Sequence, residues 1–569
     1  MGSSSSKNGG NGASNEGTVS KNVSAKSSKK GSASNGSSVD NKKQVSVTHV
    51  KVCKVDDLKD GEMKEVEVSS GKALLIREHG EFSAIGHKCS HYGAPLIKGV
   101  LSNGHVRCPW HGACFNSKTG DIEESPGLDS VPKFDVKVEG DDVIVTCNNK
   151  ESHKRIKEMT CQSPDEDKKI LIIGGGAAAT TCAETLRQEG FKGQLVMATK
   201  EGHVPYDRPK LSKALDATAD SLALRKADFF SVYDIDVKTS MEAVSVDTML
   251  NSVKFQNGES LVYDTLVVAT GGKPRKLTIP GADLENVCLL RTPEDGNHIV
   301  ANAKGKNVVI IGASFIGVEV AAYLANKASS VTIVGRSTVP YEASLGKDIG
   351  GALQKLCEEK NVKFIMNNGV TELKGEEGKL REAVLKDGQT IAADVCVVGI
   401  GVTPSTEFLK DSGVVMNDRG AVIVDKTMKT NKDNIYAAGD IVEFPLSIAD
   451  DAKVSIGHWQ MAHAHGRTAA LNVLDQETEV KSVPYFWTQI FGKSVRFAGY
   501  SNGMDDVIID GSLEELKFVA YYTKGDRVVA AASMNSDPVV SQFAEFLLSD
   551  QDVLKSELQS DPSCWKSKL

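Results

Sequence analysis

The apolar positions of this chain change rhythm three times. From residue 168 onward, runs such as Ile170-Leu171-Ile172-Ile173, Leu195-Val196-Met197 and Val308-Val309-Ile310-Ile311 alternate with helical stretches. That alternation predicts a doubly wound α/β fold. Upstream, over 47–147, the runs are short, as in Ala73-Leu74-Leu75-Ile76 and Val143-Ile144-Val145, and Gly and Asp separate them. This stretch predicts a small all-β domain. Residues 148–167 are polar and charged and read as a linker. Near Pro484 the rhythm changes again: Val519-Ala520-Tyr521-Tyr522 and Val528-Val529-Ala530 flank Lys524-Gly525-Asp526. That is a hairpin signature within an α+β domain over 484–569. Residues 1–46 are Ser, Gly, Asn and Lys with almost no apolar content, too little to offset ordering entropy, so a disordered tail is expected there.

Composition narrows the class. The 569 residues are 40% hydrophobic and 25% charged, with net charge −8, which invites neither nucleic acid nor anionic lipid as a global partner. No run of 18 apolar residues occurs, so no membrane-crossing helix is expected. Eleven cysteines are scattered rather than framed as disulfide pairs, which suits a reducing compartment. The first seven residues, Met1 to Lys7, fit an N-myristoylation pattern with Gly2 as acceptor and Ser6 in place; a plain low-complexity tail is the competing reading. The expected location is therefore cytoplasmic, with peripheral membrane association through a Gly2 lipid anchor. The mitochondrion is the alternative, although the tail lacks the arginines of a transit peptide.

Cys89-Ser90-His91 is followed after sixteen residues by Cys108-Pro109-Trp110-His111. Two thiolates and two imidazoles, as CxH and CxxH, match a [2Fe–2S] centre in which one iron takes two Cys and the other two His. A Cys₂His₂ zinc site is the competing chemistry. With Pro109 after the second cysteine and Gly112 after the second histidine, the stretch resembles Rieske domains, which implies Cys89, His91, Cys108 and His111 as metal ligands. High-potential Rieske proteins carry an extra disulfide and a serine after the His-Gly pair. Here Ala94, Trp110 and Ala113 stand in those places, so the resemblance implies a low-potential, ferredoxin-type centre.

Two glycine-rich turns follow apolar strands. In the first, Gly174, Gly176 and Ala179 form a GxGxxA turn suited to a dinucleotide pyrophosphate at a helix N-terminus, with Glu201 as the candidate ribose ligand. Thr270-Gly271 and Gly439-Asp440 follow further apolar strands, as in two-dinucleotide flavoproteins, where such segments close around FAD. The second turn holds Gly312, Ser314 and Gly317; after the next strand Gly335-Arg336-Ser337 stands where an acid would bind the ribose of NADH. Arg336 there favours the 2′-phosphate of NADPH, unless it simply lies on the surface. The expected division is 168–302 with 423–483 for FAD and 303–422 for NAD(P)H.

Pro205-Tyr206-Asp207-Arg208-Pro209-Lys210-Leu211-Ser212-Lys213 resembles the apoptosis-inducing-factor family and the ferredoxin reductases of aromatic-ring dioxygenase systems. The resemblance implies that Arg208 contacts the FAD pyrophosphate, that Lys213 pairs with Glu319 beside the flavin, and that Trp487 lies near the isoalloxazine. With the Rieske module in front, it implies an FAD-dependent NAD(P)H oxidoreductase that passes electrons to a [2Fe–2S] cluster. The final acceptor would be another protein or a small oxidant. The linker would tether the Rieske domain for repeated docking. The competing class is a redox-regulated apoptosis or signalling effector with slow turnover.

Overall fold

The run 73–76 is continuous rather than alternating because it is buried on both faces. Leu75 packs with Val66, Val143 and Val145 into one core, while Leu74 and Ile76 pack with Leu96, Val106 and Phe115 into another. The computed structural model describes residues 47–148, 152–549 and 551–569. The expected tail 1–46, with Gly2, and residues 149–151 of the expected linker lie outside the described residues. The two cores belong to a six-stranded antiparallel sheet and a four-stranded one. The larger has the order Val47–Lys54, Asp142–Asn148, Lys133–Glu139, Glu81–Gly86, Gly71–Glu78, Glu62–Val68. The smaller runs Val100–Ser102, His105–Arg107, Cys114–Asn116, Ile122–Glu124 and is inserted between two strands of the larger.

The α/β expectation holds as two parallel five-stranded sheets. The first has the order Ile235–Lys238, Gln194–Ala198, Lys169–Ile173, Thr265–Val268, Ile435–Ala437; the second Val287–Cys288, Val395–Val398, Asn307–Ile311, Ser330–Val334, Val362–Ile365. An antiparallel three-stranded meander, at 243–262 and 370–392, precedes the corresponding strand of each, so the two glycine-turn units repeat one topology. The sequence boundaries between them shift. Val287–Cys288 joins the second sheet ahead of residue 303, and the first core takes back Leu409 and Val414 ahead of 423. Elements this short carry no periodicity to read. Among the described residues no helix is long and apolar enough to cross a membrane.

The last domain is an antiparallel sheet in the order Tyr485–Ile490, Lys493–Gly499, Arg527–Met534, Lys517–Lys524, Asp506–Ser512. The expected hairpin is present, with Lys524 opposite Arg527 and Gly525 at φ 60°. Helix Val539–Phe546 lies between this sheet and the all-β domain.

The linker is not a free tether. Ser130 and Arg155 exchange backbone hydrogen bonds at 2.8 Å, the Thr160 N–H donates to the Arg187 carbonyl, and the Ser163 N–H donates to the Lys192 carbonyl. The chain that was expected to swing is thus laid down on both domains, anchored by backbone hydrogen bonds at Arg155, Thr160 and Ser163. Three arginines then clamp the all-β domain onto the rest. Arg107, 2% exposed, pairs with Glu545 of helix Val539–Phe546 and with Glu124 at 3.1 Å. Arg225 binds Asp129 at 2.6 Å and both oxygens of Glu184 at 2.9 Å. Arg496 donates to the Trp110 carbonyl at 2.9 Å and pairs with Asp537 at 3.0 Å. Burial raises the Glu184 carboxyl, and Arg225 counters that shift.

Arg225→Met leaves Glu184 buried without a counter-charge and Asp129 with only the half-exposed Lys154, a loss of ~3–5 kcal/mol. The expected outcome is faster hydrogen exchange at 152–167 and protease cutting there; Arg225→Lys, which keeps the charge, loses less.

Candidate functional site

The two ligand motifs fold as the same six-residue loop. The Cys89 N–H donates to the Ala94 carbonyl and the Gly93 N–H to the Cys89 carbonyl, at 2.8 and 2.9 Å. Cys108 and Ala113, then Gly112 and Cys108, repeat these bonds at 2.7 and 3.3 Å. Gly93 and Gly112 both sit at φ 76°, where a side chain would be strained. The turn aims backbone N–H groups at sulfur: those of His91 and Tyr92 at Cys89, those of Trp110 and His111 at Cys108. The two buried thiols also hydrogen-bond each other. That contact, with burial, holds Cys89 well above the usual thiol range. Burial opposes ionisation of Cys108, yet Cys89 and the two N–H donors bring it below.

The histidine rings lie 5.0 Å apart, and Nδ1 of His91 is buried with no hydrogen-bond partner. Burial pushes His111 down to about 3 and His91 in the same direction, so both are the neutral imidazoles that metals bind. Among the described residues, no three His, Cys, Asp or Glu side chains converge on a single ion. The two thiols are in contact with each other and the two imidazoles are neighbours, the two-Cys and two-His ligation that a [2Fe–2S] cluster takes.

A cavity of about 430 Å³ opens beside these loops, where the two parallel sheets and the last domain meet. Gly174 lies so close to the Ala269 carbonyl that a Cβ would sit 2.1 Å from it. Gly176, at the N-terminus of helix Ala177–Gln188, faces open space that a Cβ would enter, and buried Ala179 packs that helix down. Glu201 follows the second strand and accepts from Arg208 at 2.9 Å and from the Tyr206 hydroxyl at 2.6 Å. Arg208 also donates to the Arg291 carbonyl, and burial together with Arg208 pushes the Arg291 guanidinium down to about 10. Asp440 and Gly439 line the cavity; burial raises the Asp440 carboxyl while Arg291 and Arg208 pull it back. Gly271 lines it too, and the Thr270 hydroxyl is held by the Ser405 carbonyl at 2.7 Å. These groups fit an FAD dinucleotide, with a helix N-terminus and two arginines for its pyrophosphate.

Lys213 and Glu319 meet at 2.8 Å on the cavity wall. Glu319, 4% exposed, also accepts from Ser212 at 2.5 Å and Thr488 at 2.7 Å. Trp487 lines the same cavity, and its ring lies 4.2 Å from His111 and 5.8 Å from His91. One indole therefore touches both the flavin cavity and the histidine end of the iron–sulfur loops.

At the second turn, a Cβ on Gly312 would lie 2.2 Å from the Gly399 carbonyl, and one on Gly317 2.1 Å from the Gly312 carbonyl. Ser314 stands at the N-cap position of helix Phe315–Leu324 without a side-chain capping bond and lines the cavity. Arg336 is exposed at the end of the second strand, whereas Ser337 spends its hydroxyl on the Val339 carbonyl.

The domains match three family models in the order of the geometry: Rieske [2Fe-2S] domain over 48–135, pyridine nucleotide-disulphide oxidoreductase over 168–466, and reductase C-terminal over 485–565. Human apoptosis-inducing factor 3 is 52% identical over 515 residues, covering 89% of this chain and 85% of that protein. The chain belongs to the apoptosis-inducing factor family. The rhodocoxin reductase of Rhodococcus erythropolis is 31% identical over 67% of the chain and 89% of its own length. The crystal structure of the ferredoxin reductase for the CYP199A2 system from Rhodopseudomonas palustris superposes with TM-score 0.67 at 27% identity, covering 71% of this chain and all of that one. The chain is thus an FAD-dependent NAD(P)H oxidoreductase with a Rieske [2Fe–2S] centre.

The family motifs do not flag Arg291, Thr488 or the arginine clamps. Ser212 was legible as part of the Leu-Ser-Lys triplet; Arg291 and Thr488 belong to no motif and reach the cavity only through tertiary packing. The hydroxyls nearest the cluster loops are engaged elsewhere, Ser90 with the Asp129 carbonyl and Tyr92 with Asp207, both at 2.5 Å, and Ala113 offers none. With few hydroxyl donors to the cluster, its midpoint is expected at the low end of the Rieske range, about −150 mV; a redox titration well above zero contradicts this. His91→Ala is expected to abolish the Rieske EPR signal while bound FAD is retained.

Proposed function

We propose that electrons from NAD(P)H cross from the flavin cavity to the iron–sulfur loops through Trp487 and enter at His111. When bound, FAD takes a hydride from NAD(P)H and gives up electrons singly, and a [2Fe–2S] cluster accepts them one at a time. The chain's own groups set the geometry. Arg208, Arg291 and the helix N-terminus at Gly176 hold the pyrophosphate, Glu201 the ribose, and Gly439 with Asp440 the ribityl end; Thr270 and Gly271 close the remaining side. The Lys213 ammonium, pinned by Glu319 and the Pro209 carbonyl, places positive charge where a reduced isoalloxazine carries negative charge. Gly312, Ser314 and Gly317 receive the nicotinamide dinucleotide, with Arg336 at its adenosine ribose. Gly2 acylation, with the lysines at 7, 21, 26, 29 and 30, would add peripheral membrane association.

The observation that carries the route is the 4.2 Å contact between Trp487 and His111. In Trp487→Leu, anaerobic stopped-flow is expected to show flavin reduction by NAD(P)H unchanged and cluster reduction slowed by at least an order of magnitude. Equal cluster rates in variant and parent overturn the route.

The absence of an acid at the Arg336 position removes a penalty on the 2′-phosphate, and Arg336 adds a charge-assisted hydrogen bond of ~1.5–3 kcal/mol. NADPH is expected to match or exceed NADH, and Arg336→Ala to lower kcat/KM for NADPH about 10- to 100-fold with little effect on NADH. Steady-state kinetics with both nucleotides check it, and a strong NADH preference in the parent contradicts it.

A further inference from the structure

With the Rieske domain clamped by Arg107, Arg225 and Arg496, the ligand histidines stay against Trp487, and an outgoing electron needs a second way out. Undocking would break both buried ion-pair clusters. Tyr92 provides another path. Its ring stacks on His91 with centroids 3.8 Å apart and planes at 18°, and it meets His111 edge-on at 5.4 Å. Whereas Trp487 is half-buried on the flavin cavity's wall, Tyr92 is 37% exposed and no part of that cavity's lining. Its hydroxyl is tied to Asp207 at 2.5 Å, which holds the ring in place.

The charge around Tyr92 is one-sided. The Lys210 ammonium lies 4.8 Å over the Tyr92 ring and 3.3 Å from Asp207. Beyond Ser90, which is bonded to the Asp129 carbonyl, Lys154 lies 3.7 Å from the Asp129 carboxylate. The two lysine side chains are each 41% exposed, while those of Asp207 and Asp129 are 8% and 12% exposed. Both carboxylates also have inner partners, Tyr92 for Asp207 and Arg225 for Asp129. Solvent therefore meets two ammonium groups at this site, Lys210 over the Tyr92 ring and Lys154 within electrostatic reach of the His91 on which that ring stacks.

We propose that Tyr92, with Lys210 and Lys154, is the electron outlet of the Rieske centre and docks a one-electron carrier protein with an acidic rim. The proposal rests on the inward route through Trp487 and supplies its exit. One NAD(P)H becomes NAD(P)⁺ with one proton released, and its two electrons reduce two oxidised carriers, one at each docking. Long-range attraction between the ammonium pair and an acidic rim raises the encounter rate and fades with salt.

The test uses holoenzyme reduced stoichiometrically with dithionite, so that cluster reoxidation does not depend on Trp487. Two small oxidants of opposite charge serve as probes: hexacyanoferrate(III), an anion, and tris(1,10-phenanthroline)cobalt(III), a cation. Reoxidation is followed by stopped-flow absorbance and freeze-quench EPR. The anion is expected to be the faster oxidant at low ionic strength and to slow as salt rises. Lys154→Gln/Lys210→Gln is expected to slow it about 10-fold at low salt, flatten its salt dependence and speed the cation. Tyr92→Leu should slow both oxidants while the EPR g-values stay those of the parent, and Tyr92→Phe, which keeps the ring, should restore the rate. Redox-inert hexacyanocobaltate(III) gives a readout without turnover: its ⁵⁹Co line should broaden on the parent and sharpen on the double lysine variant. Reoxidation and ⁵⁹Co linewidth that are indifferent to the lysines, or a Tyr92→Leu variant that reoxidises at the parent rate, overturns the outlet. Slow reduction by NAD(P)H in Trp487→Leu with normal reoxidation here separates a fault in the inward route from one in the outlet.

Discussion

Guanidinium groups buried between two domains must be paired, and that requirement fixes the rest of this molecule. Arg107 and Arg225 each reach carboxylates on both sides of the contact: Glu124 and Glu545 for one, Asp129 and Glu184 for the other. Such clusters contribute little net stability over a well-packed apolar contact, because desolvation offsets most of the attraction. Misalignment, by contrast, is costly, since any shift leaves a charge buried without its partner. They therefore act on position more than on stability. Once they are set, the Cys108 carbonyl meets Ser541, the Trp110 carbonyl meets Arg496, and Tyr485 packs where a side chain on Gly112 would stand.

The same constraint explains why the redox groups need no large motion. The sulfur-bearing loops are shaped by their own backbone hydrogen bonds, and their histidines are kept neutral by burial before any metal binds. Glu319 is held by three donors from two segments, Ser212 and Lys213 on one and Thr488 on the other, so Lys213 has one place to go. Trp487 belongs to strand Tyr485–Ile490, whose other residues are locked into the last domain's sheet. The groups that position a cofactor thus sit on strands, at helix starts or on loops closed by their own hydrogen bonds, which favours a site held at working distances.

Much of this was legible in the residues. CxH with CxxH, the two glycine turns and the Arg-Pro-Lys-Leu-Ser-Lys stretch are local patterns whose chemistry depends on a few adjacent positions; residues of both turns and of that stretch line one cavity, and the Cys/His loops meet it through Trp487. The hairpin at Gly525 was legible for the same reason. What could not be read was non-local. Arg225 is an unremarkable arginine in sequence, and only the fold sets it between Glu184, 41 positions away, and Asp129, 96 positions away. The linker reads as a tether because its polarity is visible while its backbone partners, Ser130, Arg187 and Lys192, are not. Val287–Cys288 is too short to show a period, so the boundary between the two parallel sheets was placed too late.

A clamped Rieske domain and a tethered one differ most plainly in how the electron reaches the cluster. Anaerobic stopped-flow with NADPH, following cluster reduction after flavin reduction, should be run across ionic strength and solvent viscosity. The clamped arrangement predicts a first-order step that depends on neither, because no docking encounter precedes it. A rate that falls as viscosity rises, or that shifts strongly with salt, would mean that the domain must search for the flavin face, and would contradict the account.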